Sequence, residues 1–168
     1  MRKSRSEPKD KSSYTVSEIK VRMEAYCAYR DRCTSEVVKK LQEYALTEKQ
    51  CGEIIDELRE SKFLDDVRFA HAFVSGKFRF NQWGRIRIRM ELRIRKISEA
   101  LIVEAIQTMD LDAYAETLNN LAQRKFRETE RETDLWKRKA KVIRFLSSRG
   151  FEQDLIMDAV DQVFNSSR

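Results

Sequence analysis

The chain has 168 residues with one Pro and four Gly, a formal net charge of +6 and a pI near 9.3. So few turn formers exclude a turn-rich all-β fold. The mixture of 37% charged and 41% hydrophobic residues excludes a disordered polymer and suits helices with charged outer faces. The positive balance admits nucleic acid or an acidic protein surface as partner, although a basic domain with neither would show the same numbers.

In chain order, the opening "MRKSRSEPKDKSS" has no hydrophobic region of the kind a secretory signal needs, and residues 1–13 read as a mobile basic tail. No apolar run approaches a membrane span. Cys27, Cys33 and Cys51 make no C-x-x-C pair and the single histidine is His71, so neither a zinc site nor any other metal or cofactor is expected. An odd number of cysteines suits a reducing, cytoplasmic setting. Cys27 and Cys51 fall among apolar periodic positions as core fillers. Cys33 falls in a loop, where exposure is expected.

The chain then repeats itself at intervals of about fifty residues. Segments starting at Leu41, Leu92 and Leu146 align without a gap. Leu46, Ile97 and Phe151 coincide, as do Cys51, Ile102 and Ile156, and then Ile55, Ile106 and Val160. Each segment ends in an amphipathic helix, capped by Thr47 in the first and Ser98 in the second. Each is preceded by an earlier helix: roughly Ser17–Arg30, Asp65–Arg79 and Asp112–Arg127. The fold expected is all-α, three tandem three-helix repeats over residues 14–64, 65–110 and 111–168, forming an elongated, curved, monomeric array.

The stretch "GRIRIRMELRIRK" (Gly84–Lys96) is apolar at every second position and looks like a β-strand when read alone. It occupies the slot of the middle helix, however, and its counterparts Ser35–Tyr44 and Lys137–Arg149 do not alternate. Wound as a helix, it carries two apolar stripes. Ile88 and Leu92 match Val37/Leu41 and Val142/Leu146. Ile86, Met90 and Ile94 form the second stripe, either packed between neighbouring repeats or turned to a partner protein. Arg85, Arg89 and Arg93 lie in a row between the stripes, and Arg87, Glu91 and Arg95 line the opposite side.

The stretch Phe63–Ser98 resembles the central signature of the RecX family, bacterial regulators of the recombinase RecA. The residues that carry the resemblance are Asp65-Asp66, Arg68-Phe69-Ala70, Phe73-Val74, Lys77, Gly84, Ile88, Leu92 and Ile97. Arg30, Glu36, Lys40 and Leu41 resemble the family's opening repeat, and "KVIRFLSSRGF" its closing repeat. Lys96 departs from the pattern, standing where the family has Gly, so that helix end needs another cap. The resemblance implies three tandem three-helix repeats. It also implies binding in the groove of the RecA filament on DNA, with inhibition of ATP hydrolysis, strand exchange and stimulated repressor cleavage.

The candidate contact residues are basic. Lys77 and Arg79 lead into the row Arg85, Arg89 and Arg93, and Lys137, Lys141 and Arg144 make a second row at i, i+4, i+7. Arginine grips phosphate or carboxylate with two bonds. A solvated face, with Arg pairs to Glu91, is the competing reading. Trp83 either stacks on single-stranded bases or packs at a repeat junction, and packing is preferred. Trp136 is read as structural, His71 as a boundary residue, and Asp65-Asp66 as a helix cap. No catalytic set is found: there is no nucleophile with a His base, no Gly-rich phosphate loop and no H-E-x-x-H. A stand-alone DNA-binding protein made of helix-turn-helix-like units is the alternative to a RecA regulator. An enzyme acting on nucleic acid is the remote third.

Overall fold

The computed structural model describes residues 11–165. Most of the expected basic tail, residues 1–10, lies outside the described residues. Lys11–Ser13 form a short 3-10 turn. Nine α-helices follow among the described residues, and no strand: α1 (Val16–Tyr29), α2 (Thr34–Leu41), α3 (Glu48–Glu60), α4 (Asp66–Asn81), α5 (Arg85–Ile94), α6 (Glu99–Gln107), α7 (Leu111–Glu128), α8 (Leu135–Arg149) and α9 (Gln153–Asn165). The alternating stretch is helix α5, because its repeat position prevails over its local period.

Local chemistry starts the helices where the sequence placed them. Thr15 and Thr47 each accept a hydrogen bond from the backbone of the third helical residue, and the side chains of Glu18 and Gln50 reach back to complete capping boxes. Ser98 caps α6 by accepting from Leu101 N–H at 3.4 Å. Asp65 accepts from Val67 and Arg68 N–H, which holds its carboxyl below the usual aspartate range, with the Arg68 bond the largest cause. Asp66 takes no part in that cap. Its carboxylate accepts from Thr34 N–H at 2.8 Å and Thr34 Oγ1 at 2.7 Å, tying the start of α4 to the start of α2.

The helix ends explain Lys96. Lys96 and Gly150 occupy the same repeat position and both are left-handed, at φ 58° and 84°. Lys96 N–H donates to Arg93 O and Ile97 N–H to Leu92 O, while Gly150 and Phe151 repeat this against Ser147 and Leu146. Both are Schellman ends, and the apolar residues that follow them, Ile97 and Phe151, are buried. Lys96 takes the glycine conformation without being glycine.

The chain divides into two compact units, at Met1–Phe69 and Ala70–Arg168, a boundary that falls inside α4. The first unit is built on Ile19, Met23, Cys27, Val37, Leu41, Ile54, Leu58 and Leu64. Cys33 is fully buried there, contrary to its expected exposure. It is the extended residue that opens α2, and its thiol turns inward, 3.3 Å from Ser35 Oγ. Cys51 is only half-buried at the margin of this core, so the core-filler reading fits Cys27 better.

The second unit buries Ile88, Leu92, Ile102 and Ala105 in the central repeat, and Tyr114, Leu118, Leu121, Val142, Leu146, Ile156 and Val160 in the last. Two turns lock these repeats together. Gly84 N–H donates to Arg149 O at 2.8 Å and Ile86 N–H to Gly150 O at 3.0 Å. The backbones meet so closely that a Cβ on Gly84 would stand 2.2 Å from Gly150 O. Glycine is required at this contact because no side-chain carbon fits.

Candidate functional site

Helix α5 carries three of the eight candidate residues, and its four faces serve different purposes. Ile88 and Leu92 are wholly buried and fix the helix to the core. The two sides flanking them carry arginines. The remaining face, Ile86, Met90 and Ile94, is 54%, 55% and 67% exposed. The expectation that this second stripe packs between repeats is therefore not met. Its side chains point to solvent because the core is satisfied by Ile88 and Leu92 alone.

The arginine row is brought together on one face, but its members are not equivalent. Arg85 is half-buried in a polar knot. Its guanidinium lies 4.2 Å from the centre of the Tyr114 ring and 3.3 Å from Glu152 Oε1. Tyr114 donates its hydroxyl proton to Glu152 Oε2 at 2.6 Å and accepts from Arg85 N–H at 3.0 Å. Burial first, and then the Glu152 bond, raise the Tyr114 phenol well above its ordinary range. A cavity of about 350 Å³, floored by Leu118, Leu155 and Ala159, opens beside this knot.

Arg89 and Arg93 converge on Glu99 at the first position of α6. Their Nε atoms lie 3.4 Å and 2.8 Å from its carboxylate oxygens. The Arg93 bond holds Glu99 below the usual carboxylate range, and Glu99 in turn raises Arg93. The row is thus paired, though with Glu99 and Glu152 and not with Glu91. Glu91 is bound instead by Arg95, one turn on along its own side of the helix, at 2.7 Å. Sequence inspection missed Glu99 because its only local signal is the cap position that it follows.

Upstream, Lys77 and Arg87 hold Trp83 from two directions, 5.0 Å and 4.1 Å from its ring. Trp83 is half-buried, and Arg87 also donates to Ser148 O of the next repeat at 3.0 Å. Arg79 is exposed, and the adjacent Phe80 is 87% exposed. His71 is partly exposed, 3.5 Å from Glu104, as a boundary residue should be.

The second basic row stands on α8. Lys137 lies 3.9 Å from Asp134, Lys141 lies 2.7 Å from Glu132, and Arg144 is exposed. The Lys141 bond holds the Glu132 carboxyl below its ordinary range. Trp136 is 82% exposed and does not have the structural role expected of it. It sits in the first turn of α8, where Asp134 accepts its N–H, and the helix axis carries its ring away from the core. Among the described residues, no three His, Cys, Asp or Glu side chains gather as a metal site would require. No helix among them is long and apolar enough to cross a membrane.

Helices in tandem sets of three, with basic and apolar stripes outward, define an all-helical repeat protein. Models of the second and third three-helix domains of RecX match residues 65–106 and 112–160. Regulatory protein RecX of Acinetobacter baylyi is 37% identical over 129 residues, 77% of each chain. That of Chlorobium phaeobacteroides is 32% identical over 137 residues, covering 82% of this chain and 87% of its own. A crystal structure of regulatory protein RecX superposes with a TM-score of 0.78 at 29% identity, over 87% of this chain and 73% of that one. RecX from Lactobacillus salivarius shares the fold with a TM-score of 0.79 at 20% identity, over 88% of this chain and 96% of that one. The chain belongs to the RecX family of regulatory proteins.

Proposed function

We propose that this protein binds RecA recombinase filaments on DNA and lowers their ATP hydrolysis, strand exchange and stimulated repressor cleavage. The observation that carries the reading is family membership, at 37% identity to a regulatory RecX protein across most of both chains. The basic faces of α5 and α8 support it, since a nucleoprotein filament presents phosphates and carboxylates to any protein that enters its groove. Lys77, Arg79, Arg85, Arg89, Arg93, Lys137, Lys141 and Arg144 are the proposed contacts. Lys137, Arg93, Arg79 and Arg144 are exposed, while Arg85 acts mainly within its knot. The protein works as a cytoplasmic monomer without a cofactor and performs no catalysis of its own.

The test follows ATP hydrolysis by preformed filaments of the cognate RecA on single-stranded DNA. Substoichiometric, dose-dependent inhibition by the folded protein is expected. Unchanged hydrolysis with no binding to the filament would overturn the reading.

A second reading, stand-alone DNA binding, draws on Phe80 and Trp136, two exposed aromatic rings that lie beside Arg79 and Lys137 in the sequence. Such rings stack on single-stranded bases. Tight binding to naked DNA with a steep salt slope, equal with and without RecA, would favour it.

A further inference from the structure

The exposed stripe of α5 has an internal control. The three repeats place three homologous helices in the same slot, so positions that the fold needs are apolar in all three. Ile88/Leu92, Val37/Leu41 and Val142/Leu146 are fully buried in every case. The positions of Ile86, Met90 and Ile94 behave differently. In the first repeat they are Ser35 and Lys39 of α2 and Glu43 in the turn that follows it, and in α8 they are Ala140, Arg144 and Ser148, all three exposed. The repeat fold therefore places no apolar demand on this face. On α5 alone it carries three large aliphatic side chains at i, i+4 and i+8, a continuous strip more than half exposed.

We propose that Ile86, Met90 and Ile94 form a protein-docking strip whose partner is an apolar ridge flanked by carboxylates. This inference deepens the filament-binding reading and rests on it: the ridge would belong to the recombinase subunits and not to the DNA. Three aliphatic side chains in line offer nothing to a phosphate backbone, which rules nucleic acid out as the direct occupant of the strip.

The charge pattern names the partner's chemistry. Residues 85–95 contain five arginines and one glutamate, and the arginines stand on both sides of the strip. A second copy of this chain would bring arginine against arginine, so self-pairing is disfavoured. An anionic bilayer shares the charge preference, but α5 is only ten residues long and its opposite side is locked into the core through Ile88 and Leu92. Carboxylates beside an apolar ridge would satisfy strip and flanks together. Glu99, already bridging Arg89 and Arg93, shows that this flank accepts a carboxylate.

The test transplants the sister surface. The full chain carrying I86A/M90R/I94S has the residues of α8 on α5, so it gains one positive charge and keeps a face compatible with the fold. Thermal unfolding should remain within a few degrees of wild type. Affinity for preformed filaments of the cognate RecA on single-stranded DNA should fall at least tenfold, while affinity for the naked oligonucleotide should hold or rise. Equal filament affinity in wild type and variant would overturn the strip while leaving filament binding intact. A wild type that does not bind filaments would overturn both. A parallel loss on the naked oligonucleotide or on anionic vesicles would overturn the assignment to a protein partner. So would a wild-type dimer that the triple variant converts to monomer, as read by sedimentation.

Discussion

Helices α5 and α8 hold the same slot in adjacent repeats of one compact unit, yet they share only their buried side. Both are anchored by a fully buried pair, Ile88/Leu92 and Val142/Leu146, and both end in a Schellman turn followed by a buried apolar residue. Their outer faces have diverged completely: Ile86, Met90 and Ile94 on one, Ala140, Arg144 and Ser148 on the other. Packing constrains the inner face equally in both helices. The outer face is unconstrained by the fold, which makes it the place to look for function.

That comparison breaks first at the backbone. Gly84→Ala forces a Cβ into the Gly150 carbonyl, and neither turn can retreat without losing hydrogen bonds. A loss of about 4 kcal/mol is expected in urea unfolding, at the extreme end for a single substitution. Next come the anchors: Leu92→Ala and Leu146→Ala should each cost roughly 2–5 kcal/mol. If the two helices are equivalent on their inner faces, the two losses should agree closely. Wide disagreement would show that the repeats are not packed alike.

Tyr114→Phe sharpens the account of the knot. It deprives Glu152 of a donor and Arg85 N–H of its acceptor, in a half-buried setting where unpaired groups cost about 1–3 kcal/mol. A double-mutant cycle with Glu152→Gln should show strong coupling.

Lys96→Gly moves in the opposite direction. Relief of a left-handed non-glycine residue should stabilise the protein by about 1 kcal/mol, as differential unfolding of the two chains would show.

The smallest effect concerns Glu99. Its carboxyl is held down by Arg93, so the pair is intact above the ordinary glutamate pKa of about 4.3 and is lost as pH falls further, through the depressed value. A carboxyl NMR titration should find that midpoint below the ordinary range and returned to it in the Arg93→Ala chain. Glu99→Gln, by freeing both arginines, should tighten filament binding about two- to fivefold, with the gain shrinking as salt is raised.

Much of this was legible beforehand because the signals are local. Thr47, Ser98 and Asp65 announce helix starts within three residues of themselves, and the recurrence of Leu41, Leu92 and Leu146 disclosed the repeat. The failures came where partners are distant in sequence. Nothing near Cys33 in the sequence indicates that the residue opening α2 turns its thiol inward. Aromatic rings usually pack, and only the direction of the first turn of α8 puts Trp136 in solvent. The arginine row was found, but its Glu99 clamp and the Arg85–Tyr114–Glu152 knot were not, since Arg85 and Glu152 lie 67 residues apart.

Helices, caps, repeat and family are legible along the chain, because a helical period and a cap depend on neighbours within one or two turns. Which apolar stripe of α5 is core and which is surface depends on long-range packing. A stripe of Ile and Met has the same local pattern wherever it points. Only the packing of Ile88 and Leu92, with Gly84 held against Gly150, turns the other stripe outward.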